Sequence, residues 1–162
     1  MRFVVDSMLG RLSKWLRALG YDTHYQPYYR PDAIDAFLIK GSILLTRHQR
    51  RAELAAHAVL LHGNRVGEQL IELKNELHLE PDRSVWFHRC LRCNAVLKRA
   101  SRLEARENIP EYVFYQNLSG IRLCPMCGRF YWKGSHRLRM ERQLIEWGFH
   151  IDRQRPSAVR ET

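Results

Sequence analysis

The 162-residue chain suits one domain of ordinary size or two small ones, and a hydrophobic fraction of 45% supports a buried core. Its 27 Lys/Arg against 17 Asp/Glu give a formal net charge of +10, which favours polyanionic partners: RNA, DNA or an acidic membrane surface. No apolar run approaches the roughly 18 residues of a membrane-spanning helix, and no signal peptide precedes the first strand-like run, so a cytoplasmic protein with no membrane segment is expected.

The first half of the chain alternates strand-like and helix-like segments. RFVV (2–5) predicts a buried strand, and the apolar residues of the next segment recur at helical spacing until Gly20. This alternation predicts an α/β fold with a parallel sheet. The later predicted elements are strands at 23–27 and 42–46 and helices at 30–41, 50–64 (a helix, or a helix followed by a strand) and 67–79.

The second half differs in pattern and in charge. Pro81 and the polar residues after it interrupt the helical periodicity, which predicts a boundary between a domain of residues 1–85 and a smaller one of 86–149. Short β-like runs such as YVFYQ (112–116) follow, then a terminal helix at 137–149 and a polar tail at 150–162. Residues 86–162 carry 15 Lys/Arg against 7 Asp/Glu, so most of the basic surplus lies here.

Four cysteines form two Cys-x₂-Cys pairs in this basic half. Cys90 and Cys93 are separated by 30 residues from Cys124 and Cys127. Each such turn presents two sulfurs to one ion, and two turns complete a tetrahedron around Zn²⁺. A redox dithiol pair and an iron–sulfur cluster are the alternatives, but no thioredoxin-like pattern surrounds the pairs. The sequence therefore predicts a structural zinc ribbon, and four sulfur ligands leave no open position for catalysis.

Acidic residues of the first half suggest a second metal site. Asp6 follows the first strand, and ligands of parallel sheets bind at the carboxyl ends of strands, where carboxylates can hold Mg²⁺ or Mn²⁺. Asp22, Asp32 and Asp35 are the candidates to join it, and His48 follows another strand. A helix N-cap is the alternative role for Asp6, and exposed first-turn carboxylates are the alternative for Asp32 and Asp35.

Basic and aromatic residues suggest a nucleic-acid surface. Arg129, Trp132, Lys133 and His136 follow the second cysteine pair and combine stacking faces with positive charge, which suits unpaired bases. The alternative is an aromatic strand packed inside the ribbon. Cationic side chains that could contact phosphates near Asp6, or only cover a solvated helix face, are Lys14, Arg17, Arg47, Arg50 and Arg51.

Four segments together resemble the Mut-seven C-terminal RNase family, and they cover roughly residues 1–147: FVVDSMLGRLSKWLRALGYDT, GSILLTR, RCLRCNAVL and CPMCGRFYWKGSH. The resemblance implies a PIN-like three-layer α/β/α domain with a zinc ribbon and a metal-dependent ribonuclease site. It matches Asp6 to the first family acid, Asp32 or else Asp35 to the second, and Asp22 to an acid whose role could be structural. The family usually continues LLTR with Asp, whereas this chain has His48.

Two functions are therefore predicted. The first is a Mg²⁺- or Mn²⁺-dependent endoribonuclease whose zinc ribbon helps to bind RNA. The second is an RNA-binding module of attenuated activity that docks on structured RNA or on a ribonucleoprotein such as the ribosome, because His48 removes one expected carboxylate. A protein-interaction adaptor is the third candidate, which the charge disfavours. RNA is the predicted partner, although charge alone does not separate RNA from DNA.

Overall fold

The computed structural model describes residues 1–30 and 32–149, which contain a four-stranded parallel sheet in the order β2-β1-β3-β4. The strands are β1 (Arg2–Val5), β2 (Asp22–Tyr25), β3 (Ile43–Thr46) and β4 (Ala58–Leu60). In register, Val5 lies beside Tyr25 on one side and Leu45 on the other. The predicted α/β class with a parallel sheet is confirmed.

Helices cover both faces of this sheet, because β1 is apolar on both sides, as is typical of a buried parallel strand. Phe3 and Val5 pack on one face and Val4 on the other. The first face carries α1 (Gly10–Ala18), α4 (Val66–Leu77) and α7 (Ser135–Glu146), and the second carries α2 (Asp35–Ile39) and α3 (Gln49–Leu54). The result is the expected three-layer α/β/α arrangement.

The ribbon is a small antiparallel sheet around the cysteines. It consists of β5 (Lys98–Arg99), β6 (Arg122–Leu123) and β7 (Phe130–Tyr131). The second cysteine pair occupies the turn between β6 and β7, which pair antiparallel. Between the two pairs the chain adds α5 (Arg102–Asn108) and α6 (Glu111–Gln116).

The prediction of β-like structure at 112–116 was wrong, since these residues form α6. Their aromatic and β-branched composition favours a strand locally, but Val113 and Phe114 pack with Ala105 and Ile109 of the preceding segment in one small core. Ser101 and Glu104 also form a capping box at the start of α5. The capping box is visible in the sequence, but the aromatic composition dominated the prediction.

The terminal helix closes the first face of the sheet. Leu144 of α7 is buried in the same core as Leu12 and Leu70, and Trp147 packs edge-on against Trp15 at 4.7 Å between ring centres. The division at 81–86 stays a prediction, and residues on both of its sides contribute to this core. The predicted polar tail (150–162) lies outside the described residues. Among residues 1–30 and 32–149, no helix is both long and apolar enough to cross a membrane.

Strand order locates the crevice where ligands bind in such sheets. The chain runs from β1 outward to β2 and then returns to the other side of β1 to form β3. At the carboxyl ends of β1 and β3, the connections to the next strands therefore run in opposite directions across the sheet. This position is the topological switch point of a doubly wound fold. Asp6 follows β1, and Thr46 ends β3. These two residues flank the crevice.

Candidate functional site

Asp6 is buried at the switch point, with its side chain 1% exposed. Its Oδ1 accepts hydrogen bonds from the Ser7 amide at 2.7 Å and the Ser7 hydroxyl at 3.2 Å. Its Oδ2 accepts a hydrogen bond from the Thr46 hydroxyl at 2.8 Å. Asp6 is thus the N-cap of a 3₁₀ turn (Ser7–Leu9), the alternative role that its sequence position allowed, and it ties β1 to β3.

Two further side chains reach Asp6 from the segment after β3. Arg51 places Nη1 3.2 Å from Oδ1, and the Nε2 atom of His48 lies 3.9 Å from Oδ2. Both of these side chains are about half exposed, at 51% and 53%. His48 is also the N-cap residue of α3, and its amide donates to Thr46 Oγ1 at 3.0 Å. Thr46 therefore links the backbone of His48 to the carboxylate of Asp6.

Two tyrosines frame this edge from β2 and the loop that follows it. The Tyr25 hydroxyl donates to the Ser7 carbonyl at 3.1 Å, and the Tyr29 hydroxyl donates to the Val5 carbonyl at 3.0 Å. Burial raises the pKa of Tyr29 to about 12, and the charge of Asp6 acts in the same direction. Tyr29 therefore stays protonated at neutral pH and remains a donor.

Asp22 is not brought near Asp6. It begins β2 beside Arg2, whereas Asp6 follows Val5, so roughly 13 Å of strand separates the two positions. Its Oδ1 accepts from Asn94 Nδ2 at 2.6 Å, and Arg89 Nη2 lies 3.8 Å from Oδ2. These contacts attach the first cysteine turn to the opposite end of the sheet, in line with the structural role left open for this acid.

Asp32 and Asp35 are exposed residues before and at the start of α2. Asp35 and Arg51 both line a hollow of about 610 Å³ between α2 and α3, on the second face of the sheet. Asp32 does not line it. The alternative role of an exposed first-turn carboxylate fits Asp35, whereas Asp32 is exposed in the turn that precedes α2.

The groups at the switch point do not fit a divalent ion held by several carboxylates. Within residues 1–30 and 32–149, the only cluster of three or more acidic, histidine or cysteine groups is formed by the cysteines. Oδ1 of Asp6 already has three donors, and the charge nearest to it is the guanidinium of Arg51. Mg²⁺ binds through carboxylates together with water, so Arg51 would first have to leave.

The four cysteines do converge, and they can hold a metal ion such as zinc. Their sulfur atoms all lie within 4.8 Å of one another, with Cys90 to Cys127 at 3.6 Å and Cys93 to Cys124 at 3.3 Å. Tetrahedral coordination at 2.3 Å from zinc requires sulfurs about 3.8 Å apart. The two cysteine turns have the same backbone conformation at their ends, since Asn94 and Gly128 follow the second cysteine of each pair and both have a φ of 70°.

Hydrogen bonds prepare Cys90 as a ligand. Burial alone would raise the pKa of this thiol, but the Tyr131 hydroxyl, 3.0 Å from its sulfur, and backbone amides of the turn lower the pKa to about 6. A thiolate is the form that binds zinc. Tyr131 is therefore a supporting residue of the cysteine site.

A cleft of about 870 Å³ separates α1 from the ribbon and the start of α7. Among the described residues that line it are six Lys/Arg and no carboxylate. Tyr25 joins it to the switch point, because its ring lines the cleft and its hydroxyl bonds the residue after Asp6. The cationic lining residues are Lys14, Arg17, Arg92, Arg122, Arg129 and Arg137, and the aromatic ones are Trp15, Tyr25, Phe87, Phe130, Tyr131 and Trp132.

Apart from Arg17, the predicted nucleic-acid residues divide into three groups. Lys14, Arg129, Trp132 and His136 line the cleft, and Lys133 is exposed in the loop before α7. Arg47 and Arg50 lie in the segment after β3, where Arg47 donates to Asn64 Oδ1 at 2.8 Å.

Arg17 differs from these because it is buried. Its Nε donates to the Thr23 carbonyl at 3.0 Å, and its Nη1 donates to the Leu91 and Arg92 carbonyls at 3.0 and 2.7 Å. Arg17 thus fastens the first cysteine turn to α1 and β2 and does not present its guanidinium to solvent.

Sequence reasoning missed the residues that act through long-range contacts. Thr46 joins Asp6 to His48, and Arg92 and Arg122 add charge to the cleft, whereas the charge of Arg137 is paired with Glu141. A hydroxyl at the end of the buried run SILLT was the one available signal for Thr46. The three arginines carry no local signal beyond the basic composition of the second half.

A family model described as Mut7-C RNAse domain matches residues 1–144. The match includes Asp6, His48 and all four cysteines, and the family description indicates a ribonuclease-type function. Comparisons with curated proteins and with solved structures give no match. The chain therefore belongs to the Mut7-C RNAse domain family.

Proposed function

We propose that this protein is a ribonuclease that binds unpaired RNA in the cleft and brings a phosphodiester to the switch point beside Asp6. The observation that carries the proposal is the continuity of the two features: a basic, aromatic cleft is joined through Tyr25 to the strand end that holds Asp6. The family's ribonuclease description supports the same conclusion.

The chemistry of the cleft suits single strands. Side chains of Lys14 and Arg129 on its walls can contact phosphates, and aromatic rings such as Trp132 provide faces on which bases stack. Because Arg129 and Trp132 follow the second cysteine turn, a zinc ion in that turn would hold one wall of the cleft in place. We expect the substrate to be a cytoplasmic RNA, free or in a ribonucleoprotein such as the ribosome.

The predicted dependence on Mg²⁺ or Mn²⁺ remains a separate expectation. Such an ion would supply a Lewis acid and an activated water for phosphodiester hydrolysis. The residues that would have to hold it are Asp6 and, from the same edge, Thr46 and His48. The guanidinium of Arg51 lies against the carboxylate that would bind this ion.

A non-catalytic RNA-binding module is the second candidate, and one observation favours it. Arg51 lies 3.2 Å from Asp6 and neutralises the one carboxylate buried at the switch point among the described residues. Under this alternative the cleft binds RNA, and the strand-end groups serve only to join β1 to β3.

One experiment separates the two candidates. The full chain is mixed with an unstructured RNA of about 12 nucleotides, and binding is followed by fluorescence anisotropy and cleavage by gel, with and without Mn²⁺. A ribonuclease cleaves the RNA, and Asp6→Asn removes most of the cleavage while the affinity stays within about twofold.

Glu53→Gln is the matched control, because it makes the same carboxylate-to-amide change on exposed α3 and should leave cleavage as in the wild type. Circular dichroism checks that both variants are folded. Equal inertness of wild type and Asp6→Asn, with RNA binding intact, would establish the binding module instead.

A further inference from the structure

We propose that this chain cleaves RNA without a divalent metal ion, using His48 as a base that activates the 2′-hydroxyl of the RNA itself. The inference rests on the proposed ribonuclease function and names the chemistry of the same site. At the switch point, the carboxylate of Asp6 is paired with Arg51, although a metal ligand was expected there.

Asp6 is better placed to orient a histidine than to bind a cation. Ser7 and Arg51 occupy its Oδ1, whereas Oδ2 carries the Thr46 hydroxyl and faces the His48 imidazole. At 3.9 Å the Nε2 atom of His48 is beyond hydrogen-bond distance of Oδ2, but the charge of the carboxylate favours the tautomer that carries its proton on this nitrogen. With Nε2 facing Asp6, the atom left as proton acceptor is Nδ1.

The position of His48 meets the two requirements for such a base. Its backbone is fixed, because its amide bonds Thr46 Oγ1 at 3.0 Å and Thr46 in turn bonds Asp6. Its side chain is 53% exposed, so a substrate can reach the imidazole. Arg47 and Arg50 lie within two residues of it and supply positive charge for a phosphate.

The proposed reaction needs only the RNA. The 2′-hydroxyl gives its proton to Nδ1 of His48 while its oxygen forms a bond to the adjacent phosphorus. The bond from phosphorus to the 5′-oxygen of the next nucleotide breaks, and that oxygen takes the electron pair and then the proton held by His48. The products are a 2′,3′-cyclic phosphate and a 5′-hydroxyl, and no water, oxidant or metal is consumed.

The test uses the full chain in resin-treated buffer free of divalent ions, with the zinc content of the protein checked by mass spectrometry. We expect cleavage of an unstructured RNA to continue there and to yield cyclic-phosphate ends. A fully 2′-O-methylated RNA of the same sequence should bind equally and remain intact, because its 2′-oxygen has no proton to give.

Variants assign the base. His48→Ala should lower the cleavage rate at least about hundredfold with RNA affinity within about twofold, since general base catalysis contributes about that much. His62→Ala, which removes another exposed histidine, should cleave like the wild type. Identical purification of the three proteins controls for a contaminating nuclease, because a contaminant would cleave equally in all of them.

Each contrary result has its own meaning. Cleavage that requires Mn²⁺ and leaves 5′-phosphate ends would overturn the metal-free mechanism and leave the ribonuclease function standing. Full activity of His48→Ala would overturn the role of His48. RNA binding without cleavage under any condition would overturn both the mechanism and the proposed function.

Discussion

Buried charged side chains in this protein join segments that are far apart in the chain. The guanidinium of Arg17 satisfies carbonyls of Thr23, Leu91 and Arg92, and the carboxylate of Asp6 satisfies donors from Ser7 and Thr46. A buried charge is tolerated when hydrogen bonds replace its hydration, and removing it leaves the partner groups unsatisfied.

Arg17→Ala should therefore destabilise the protein although α1 gains a better helix former. Loss of the donor to three carbonyls is expected to lower the free energy of unfolding by about 2–4 kcal/mol, measured by urea denaturation. Arg11→Ala removes an exposed arginine of the same helix and should change the free energy by less than about 0.5 kcal/mol. Equal small effects would show that the buried bonds contribute little.

His24 on β2 makes stability depend on pH. Its ring stacks on Phe37 at 4.0 Å, and among the described residues its buried Nε2 has no hydrogen-bond partner. Burial lowers the pKa of His24 from 6.5, and the charge of Arg17 lowers it further. The unfolded chain then binds the proton more tightly, so this contribution to stability is complete above about pH 6.5 and is lost as the pH falls to the folded pKa.

His24→Phe should reduce the loss of stability between about pH 7.5 and about pH 5, because it removes the group whose protonation favours the unfolded chain. The free energy of unfolding from urea titrations at both pH values provides the measurement. The same change at exposed His62 should leave the wild-type pH dependence in place. An unchanged dependence in His24→Phe would show that other groups, such as partly buried His88, account for it.

At the scale of elements, the ribbon is too small to be stable by packing alone. Each of its three strands has two residues, and its cysteine turns bury little besides Cys90, Leu97 and Cys124. A zinc ion held by the four cysteines would supply the missing free energy, because these ligands converge only in the folded state. The α5–α6 insertion has its own small core around Ile109 and Phe114 and depends less on the metal.

Cys124→Ser should lower the bound zinc from about one ion per chain to less than about 0.1, as measured by plasma mass spectrometry after dialysis. Amide hydrogen exchange should show lost protection at β5–β7 and retained protection at β1–β4. Met126→Ser changes an exposed residue of the same turn, supplies no ligand and should keep the zinc. Full zinc content in Cys124→Ser would exclude the four-cysteine site.

At the scale of the whole molecule, the proposed function depends on two parts that meet at the cleft. One wall comes from α1 and the other from the ribbon and α7, and both walls are basic. A nucleic acid bound there would release counterions, so its affinity would fall as the salt concentration rises. For single strands, the slope of log affinity against log salt concentration is about −0.7 for each neutralised phosphate.

Arg129→Ala should weaken RNA binding about three- to tenfold at about 0.1 M salt and flatten that slope by about 0.7, whatever the RNA sequence. Anisotropy titrations at several salt concentrations measure both quantities. Arg142→Ala removes the same charge from an exposed position on α7 that does not line the cleft, and it should have little effect. Equal effects of the two variants would indicate general charge attraction and no defined cleft.

Local patterns in the chain were enough to establish the alternating elements, the cysteine site and the strand-end position of Asp6. Apolar runs, Cys-x₂-Cys spacing and the rule for parallel sheets are properties of short segments, and they do not depend on distant residues. The helical insertion at 102–116 shows the limit, because aromatic composition there favoured a strand and shared burial decided for helices.

Only the tertiary structure decided which charges meet. Asp6 and Arg51 are 45 residues apart, and Asp22 and Asn94 are 72 apart, so no local signal pairs them. Asp6 and Asp22 lie at opposite ends of the sheet, since Asp22 begins β2 whereas Asp6 follows Val5, the last residue of β1. The physical reason is that burial and charge pairing depend on how helices and strands pack, and packing joins residues that the sequence keeps apart.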